Sequence, residues 1–322
     1  MGISRQQALD CLRSNDLIGI GMEADAVRRQ LHPEGVVSYA LEGAVSMTGG
    51  MRAEGKAGEA SLDALYDEIR QTIDQGSTGV RLVGGLGSNS KDSRIEGFVG
   101  FVGVVRGIRR RFPSLWLEGL SAADIVALVT DSRLELRETI ARLHDAGLDS
   151  IASDDAQPKC SPSSCSPAEW IEVHRAAHSL GMRTIAATFL GAGDTLEQRV
   201  DTLAAIRQLQ EETGGFTAFV PLAAEAAGGR ELDAVTAVEQ LKTLAIARVF
   251  LDNIEHIQWS GAGQGLKVLQ MGLRFGANDA GSVTPEAAAA SHITEEDLRR
   301  IIRGAGFQPV QRDIPYRTMF LN

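Results

Sequence analysis

The chain has 322 residues, of which 43% are apolar and 23% are charged. Such a chain can bury the core of one large domain or of two small ones. Its formal net charge of −10 argues against a surface that binds nucleic acid or an anionic membrane. We find no apolar run of about 18 residues and no charged-then-apolar leader, so we expect a cytoplasmic protein.

The segment before the first strand pattern, residues 4–33, predicts two short helices. Cys11 falls on the first of these, where a cysteine usually behaves as a small buried apolar residue. The chain has only two other cysteines, Cys160 and Cys165. Three cysteines do not form a disulfide framework.

Short β-rich segments then alternate with helical patterns along the chain. Segment 61–76 has Ser61 as its predicted N-cap, one apolar face, and Gly76 as its end. Segment 166–181 begins with the signals of a capping box, Ser166, Pro167 and Glu169. The eight predicted strands are 36–42, 79–84, 115–119, 148–153, 184–190, 217–222, 257–260 and 277–281.

Eight strands that alternate evenly with helices predict an α/β fold, a (β/α)8 TIM-type barrel with N- and C-terminal helical extensions. A doubly wound sheet is the alternative, which the even spacing disfavours. We expect a single domain, residues 1–322. Residues 1–35 form the N-terminal helices, 36–282 the barrel, and 283–322 a C-terminal helix with Thr294 as N-cap, followed by a tail that contains Pro309 and Pro315.

Carboxylates at the carboxyl ends of these strands are the main candidates for chemistry, because TIM-type barrels carry their active sites there. Grouped carboxylates suit general acid–base work or a hard cation; alternatively, half of them face solvent or cap a helix. Glu118 and Asp154 are the best candidates, one holding a proton near neutrality while the other acts as base. The predicted catalytic residues are Glu118, Asp154, Asp155 and Glu42.

Two further patterns can be explained either by a chemical site or by ordinary structure. Cys160 and Cys165, in CSPSSC, suit a disulfide, a redox switch or half of a metal site, but free thiols are expected in a reducing cytoplasm. His174 and His178 have the i, i+4 spacing of metal ligands, but without an HExxH motif an exposed helix face is the commoner explanation. We predict no metal site.

Six segments resemble, in chain order, the dehypoxanthine futalosine cyclase and aminofutalosine synthase branch of the radical SAM superfamily, which serves menaquinone synthesis. The resemblance covers nearly the whole chain. The segments are LHPEGVVSY (31–39), AGLDSI (146–151), PAEWIEV (167–173), QEETGGFTAFVP (210–221), ARVFLDNI (247–254) and LRFGANDAGS (273–282).

The resemblance implies a [4Fe–4S] cluster, held by a Cys-x3-Cys-x2-Cys motif just after the first barrel strand, whose open iron binds S-adenosylmethionine. In this chain the corresponding loop reads AVSMTGGMRAEGKAGEAS (44–61) and contains no cysteine or histidine. Cysteines scattered at 11, 160 and 165 cannot replace that motif. We therefore predict a chain with no iron–sulfur cluster.

At the mouth of the barrel, where the strands end, some positions differ from the family pattern and others match it. Asp154 and Asp155 stand where the family has a glycine-rich stretch, and Glu118 stands where it has histidine. Gly84 and Gly85 match the family's methionine-binding turn, so S-adenosylmethionine stays possible as a ligand or substrate. Ligand-binding roles are predicted for Gly84, Gly85, Ser121, Glu225, Gly263, Gly265, Asn278 and Asp279; the two glycines at 263 and 265 open a helix whose N–H groups suit a phosphate or carboxylate.

The altered positions cluster at the barrel mouth, which favours a repurposed pocket over a decayed enzyme. We expect a non-radical lyase, cyclase or isomerase that performs an elimination, cyclisation, isomerisation or hydrolysis on a nucleoside-like or S-adenosylmethionine-like small molecule. The alternative is a non-catalytic small-molecule-binding paralogue of a menaquinone-pathway enzyme. A radical enzyme with a cluster from elsewhere is least favoured. We expect a small-molecule partner, and neither nucleic acid nor membrane; the sequence specifies neither substrate nor oligomeric state.

Overall fold

The computed structural model describes residues 2–47, 59–84, 97–153, 165–190, 194–223, 235–259, 265–284 and 293–320. Eight strands alternate with helices over these ranges and confirm the predicted (β/α)8 barrel. The strands are β1 (Val36–Ser46), β2 (Gly79–Val83), β3 (Trp116–Gly119), β4 (Ser150–Ile151), β5 (Thr184–Leu190), β6 (Phe216–Ala223), β7 (His256–Ile257) and β8 (Asp279–Val283).

The two predicted N-terminal helices are present, and the helices of the barrel surround the strands. None of the helices in the described ranges is both long enough and apolar enough to cross a membrane. The helices are α1 (Arg5–Arg13), α2 (Leu17–Leu31), α3 (Glu59–Asp74), α4 (Gly97–Arg111), α5 (Ala122–Ser132), α6 (Leu136–Ala146), α7 (Pro167–Ser179), α8 (Leu196–Thr213), α9 (Ala237–Phe250), α10 (Leu266–Gly272) and α11 (Glu295–Gly304).

Helix starts follow the local sequence closely. Ser166 caps α7, with Pro167 in the first turn and Glu169 completing the capping box, as predicted. Thr294 caps α11, as predicted. The prediction for α3 is wrong at its start: the helix begins at Glu59, two residues before Ser61, so Ser61 lies within the helix and is not its N-cap.

The strands follow one another round the barrel in chain order. β1 to β4 pair in parallel, and so do β5 to β7. β8 pairs with β1, and a parallel bridge joins Gln258 to Asp279. Between β4 and β5, Ser150 Oγ donates to the carbonyl of Arg183 at 2.8 Å.

The segment after α11 contains two strands that the sequence analysis did not predict. β9 (Gln308–Arg312) pairs in parallel with β1 over Val36–Ala40. β2 begins to pair with β1 only at Glu42, so β9 occupies the same side of β1 below β2. β10 (Met319–Phe320) then pairs antiparallel with β9. The predicted tail is therefore part of the sheet, and it lies at the amino-terminal end of the barrel.

Two apolar layers hold the helices against the strands, and the lumen is lined differently. One layer packs α3 to α7 on β1 to β4, and the other packs α1, α2 and α8 to α11 on β1 and β5 to β8. A small apolar cluster of Ile185, Ala218 and Val220 lines the lumen side of β5 and β6. Charged side chains line the opposite wall and form the candidate site.

Candidate functional site

Three charged side chains face the lumen from β1, β2 and β3. Side chains alternate between the two faces of a strand, so the neighbours of a helix-facing residue point inward. Val45 of β1 lies in the outer apolar layer, as do the residues on either side of Arg81 in β2. Glu42, Arg81 and Glu118 therefore point into the barrel from adjacent strands.

One guanidinium holds both carboxylates. Arg81 Nη2 lies 2.9 Å from Glu42 Oε2, and Arg81 Nε lies 3.1 Å from Glu118 Oε1. The backbone N–H of Ser153 donates to the same Glu118 oxygen at 3.3 Å. The side chains of Glu42 and Glu118 are 6% and 2% exposed and that of Arg81 is 13%, so bulk water screens these pairs little.

The structure thus brings together two of the four predicted catalytic residues. Glu42 lies within β1, four residues before its end, and Glu118 lies one residue before the end of β3. Their catalytic role stays a prediction. Arg81 was missed, although an arginine inside an otherwise apolar strand pattern is a signal for a buried charge partner. Asp154 and Asp155 lie outside the described residues.

Asp279 is bound by the chain's own groups. The structure places it at the first position of β8. Arg312 binds it through Nε at 2.5 Å and Nη2 at 2.9 Å. Ser38 Oγ and the N–H of Gly281 also donate to it, at 2.5 and 2.7 Å. These donors saturate the carboxylate, so Asp279 serves to join β1, β8 and β9.

Asn278 is held in the same way, at the junction of β7 and β8. Its Oδ1 accepts from Arg248 Nη2 at 2.5 Å and from the N–H of Ile257 at 2.9 Å. Its Nδ2 lies 3.0 Å from His256 Nδ1. Arg248 is fully buried, and desolvation lowers its pKa to about 9. The carboxylate of Asp279 and the Oδ1 of Asn278 are thus engaged by groups of the chain itself.

The other described candidates are backbone features or caps. Ser121 caps α5, its Oγ accepting from the N–H of Asp124 at 3.2 Å. Gly84 follows β2 with φ +75°, and Gly265 precedes α10 with φ +84°; only glycine adopts such values readily. The remaining candidates, Gly85, Glu225 and Gly263, lie outside the described residues.

His174 is buried and His178 is half-buried between α7 and the start of β5, so the predicted exposed helix face is wrong. Thr213 Oγ1 donates to the carbonyl of Leu209 and therefore accepts from His178 Nδ1, at 2.7 Å. His178 Nε2 then accepts from Thr184 Oγ1 at 2.8 Å, which in turn accepts from His174 Nδ1 at 2.9 Å. Because each hydroxyl in this series donates one hydrogen bond and accepts another, each histidine ring carries its proton on Nδ1.

Both rings stay neutral in the folded protein. Burial, with the neighbouring His178, lowers the pKa of His174 to about 3, and burial, with Arg183, lowers the pKa of His178 to about 4. In the described ranges no three His, Cys, Asp or Glu side chains form a group that suits a metal ion.

The described cysteines do not meet. Cys11, on α1, packs against the apolar layer that includes α8 and α9. Cys165, just before α7, packs against the other layer. Cys160 lies outside the described residues. The two thiols therefore belong to different halves of the molecule.

Comparisons with known proteins agree with the sequence resemblance and the barrel. The model of the CofH/MqnC C-terminal region matches residues 213–321. Cyclic dehypoxanthine futalosine synthase of Streptomyces coelicolor is 30% identical over 99% of this chain and 86% of its own length. The 5-amino-6-(D-ribitylamino)uracil–L-tyrosine 4-hydroxyphenyl transferase of Methanococcoides burtonii is 32% identical over 80% of this chain and 78% of its length.

Solved structures support the same fold. The FeFe-hydrogenase maturase HydG from Carboxydothermus hydrogenoformans superposes with a TM-score of 0.69 at 14% identity, over 98% of this chain and 78% of that one. At such low identity this similarity concerns the fold alone. Sequence identity along nearly the full length, together with the shared barrel, makes this chain a member of the CofH/MqnC family, in the futalosine branch of the radical SAM superfamily.

Proposed function

We propose that this chain is a cluster-free member of its family, which performs polar acid–base chemistry on a small nucleoside-like or S-adenosylmethionine-like molecule. The main support for the proposal is the placement of the cysteine sulfurs in this chain. A [4Fe–4S] cluster needs several thiolates at one site. The loop after β1 has none, and Cys11 and Cys165 pack against different apolar layers. The residues of this chain do not fit the cluster.

The polar wall of the lumen supports acid–base chemistry. Glu118 is the proposed base: Arg81 and the N–H of Ser153 fix its orientation, and a fixed carboxylate is ready to take a proton from a bound substrate. Asp154 follows Ser153 directly in the chain and is the proposed acid. Glu42 is the second carboxylate on the same guanidinium. Gly84, with φ +75°, supports a turn at which a ligand such as S-adenosylmethionine can approach the backbone.

A non-catalytic ligand-binding paralogue is the second candidate. The contacts of Arg81 favour it, because one guanidinium binds both Glu42 and Glu118 deep in the barrel. Buried ion pairs of this kind also serve to align strands without any chemistry. A lumen built this way would still accept a ligand but would not convert it.

Iron and sulfide reconstitution tests the cluster-free assignment. The full chain, treated anaerobically and then gel-filtered, is expected to show no broad absorbance near ~400 nm and no bound iron. Retention of about four irons per chain would refute the assignment.

Ligand binding followed by product analysis tests the chemistry. Thermal-shift assays with S-adenosylmethionine and futalosine-type nucleosides would identify a ligand, and mass spectrometry would detect its conversion. Glu118→Gln keeps the shape but removes the base, so turnover should fall by roughly 10²–10⁴-fold while affinity stays within about one order of magnitude.

Glu138→Gln is the matched control, because Glu138 lies on the outer surface of α6 with its side chain 47% exposed. It should leave turnover and affinity unchanged. A ligand that binds wild-type protein and is never converted would support the non-catalytic alternative. Wild-type turnover in Glu118→Gln would show that Glu118 is structural.

A further inference from the structure

A cavity of about 640 Å³ lies at the amino-terminal end of the barrel, opposite the loops that follow the strands. The starts of β3, β6 and β7 and residues 315–317 of the C-terminal segment form its wall. Its size falls in the range of roughly 300–1,000 Å³ that is usual for small-molecule sites. Neither Glu42 nor Glu118 lines it, so it is separate from the proposed acid–base site.

Aromatic rings form much of the wall. Tyr316 stacks almost flat on His256, with ring centroids 4.1 Å apart and an angle of 11° between the planes. The guanidinium carbon of Arg317 lies over the ring of Trp116, 5.4 Å from the ring centroid. Phe216 completes the aromatic lining. Such walls favour a planar, apolar ring.

His256 supplies a hydrogen-bond donor at this wall. Asn278 uses Oδ1 to accept from Arg248, so its Nδ2 must donate to His256 Nδ1, and the ring proton of His256 lies on Nε2. His256 is 8% exposed, and burial lowers its pKa to about 3, so the ring is neutral. The nearest carboxylate, that of Glu255, is 4.0 Å from Nε2, which is too long for a hydrogen bond. Among the described residues no acceptor is bonded to this N–H.

Two guanidinium groups add positive charge to the wall. Arg317 is exposed, and its Nε stays 4.0 Å from Asp313. Arg183 is also exposed and donates to the carbonyl of Gly214 through Nη1. Each guanidinium has five N–H donors, so these contacts leave donors for a ligand.

The carboxylates of the wall do not cancel this charge at the cavity. Asp149 is paired with Arg109 and accepts from the N–H of Leu117. Glu255 has a side chain that is 72% exposed, at the rim, where water screens it.

We propose that this cavity is a second ligand-binding site, which takes a small aromatic carboxylate. The ring packs against Trp116, because His256 and the guanidinium of Arg312, 3.7 Å from the ring centroid, already cover the two faces of Tyr316. The carboxylate oxygens accept hydrogen bonds from the guanidinium groups of Arg183 and Arg317 and from His256 Nε2, since charge-assisted bonds of this kind are the strong ones.

Fluorine NMR titration of the full chain with 4-fluorobenzoate tests the proposal. We expect saturable broadening of the 4-fluorobenzoate signal and none for 4-fluorobenzylamine, which has the same ring and the opposite charge. Arg317→Glu should weaken binding about tenfold or more, the loss that follows from one charge-assisted hydrogen bond. Arg300→Glu is the control, because Arg300 is similarly exposed, at 68%, but lies on α11.

A second variant tests the location. Thr217 lines the cavity at the start of β6, so Thr217→Phe should narrow it and weaken binding. Circular dichroism checks that this variant is folded, and Arg183→Glu replaces it if it is not. Equal binding of the acid and the amine, or unchanged binding in both Arg317→Glu and the cavity variant, would overturn the proposal.

Discussion

The pair of Arg312 and Asp279 should contribute strongly to stability. Both side chains are buried, at 1% and 0% exposure, and two hydrogen bonds of 2.5 and 2.9 Å join them. Arg312→Met removes the guanidinium, keeps much of the apolar stem, and leaves the carboxylate of Asp279 buried without its counter-charge. Breaking a buried pair in this way costs about 3–5 kcal/mol of unfolding free energy. Total stabilities are about 5–15 kcal/mol, so the loss is large.

Urea unfolding, followed by circular dichroism and tryptophan fluorescence, measures this loss. Arg317→Met is the matched control: it lies five residues further along the same segment with its side chain 71% exposed, and it should change stability by less than about 0.5 kcal/mol. The double variant Arg312→Met, Asp279→Leu should recover part of the loss, because it removes the uncompensated charge. Equal midpoints for Arg312→Met and Arg317→Met would refute this account.

Two further predictions concern stability. The pKa of His178 is about 4 in the folded protein against an ordinary value of 6.5, so between these pH values the unfolded chain binds a proton that the folded protein does not. The free energy of unfolding therefore falls as pH drops from about 6.5 to 4, by up to ~1.4 kcal/mol per pH unit. Urea midpoints of His178→Gln should fall less over that window, whereas the exposed His144→Gln should behave like wild type; equal slopes would contradict the prediction. A Cβ on Gly272 would lie 2.2 Å from the buried ring of Trp259, so Gly272→Ala should lower the free energy of unfolding by about 1–3 kcal/mol. Gly103 lies within α4, where an added Cβ would meet no neighbouring heavy atom within 4 Å, so Gly103→Ala should be neutral or stabilising. Thermal melts that rank the two variants the other way would exclude the clash.

Local features of the chain determined the order and type of the elements. Strand alternation, and caps such as Ser166 and Thr294, depend on residues within a few positions of one another, so the sequence predicts them directly. The resemblance to the futalosine branch also depends on sequence alone. The missing cysteines after β1 are likewise visible without coordinates.

Contacts between residues far apart in the chain were decided only by the tertiary structure. The bonds of Arg81 to Glu118 and Glu42 span 37 and 39 positions, and no local pattern indicates which side chains will share the lumen. The pairing of β9 with β1 likewise joins the C-terminal segment to the first strand of the barrel. It turns a predicted tail into a strand that carries Arg312 to Asp279.

The side of a helix that is buried was also decided by packing. The i, i+4 spacing of His174 and His178 is the same for a solvent-facing pair, a metal site and a buried pair. Only the position of α7 against β5 places Thr184 between the two rings and holds both of them neutral. Spacing along a helix sets which side chains share a face, but the elements packed against that face set its chemistry, because burial and hydrogen-bond partners determine which charge state is stable.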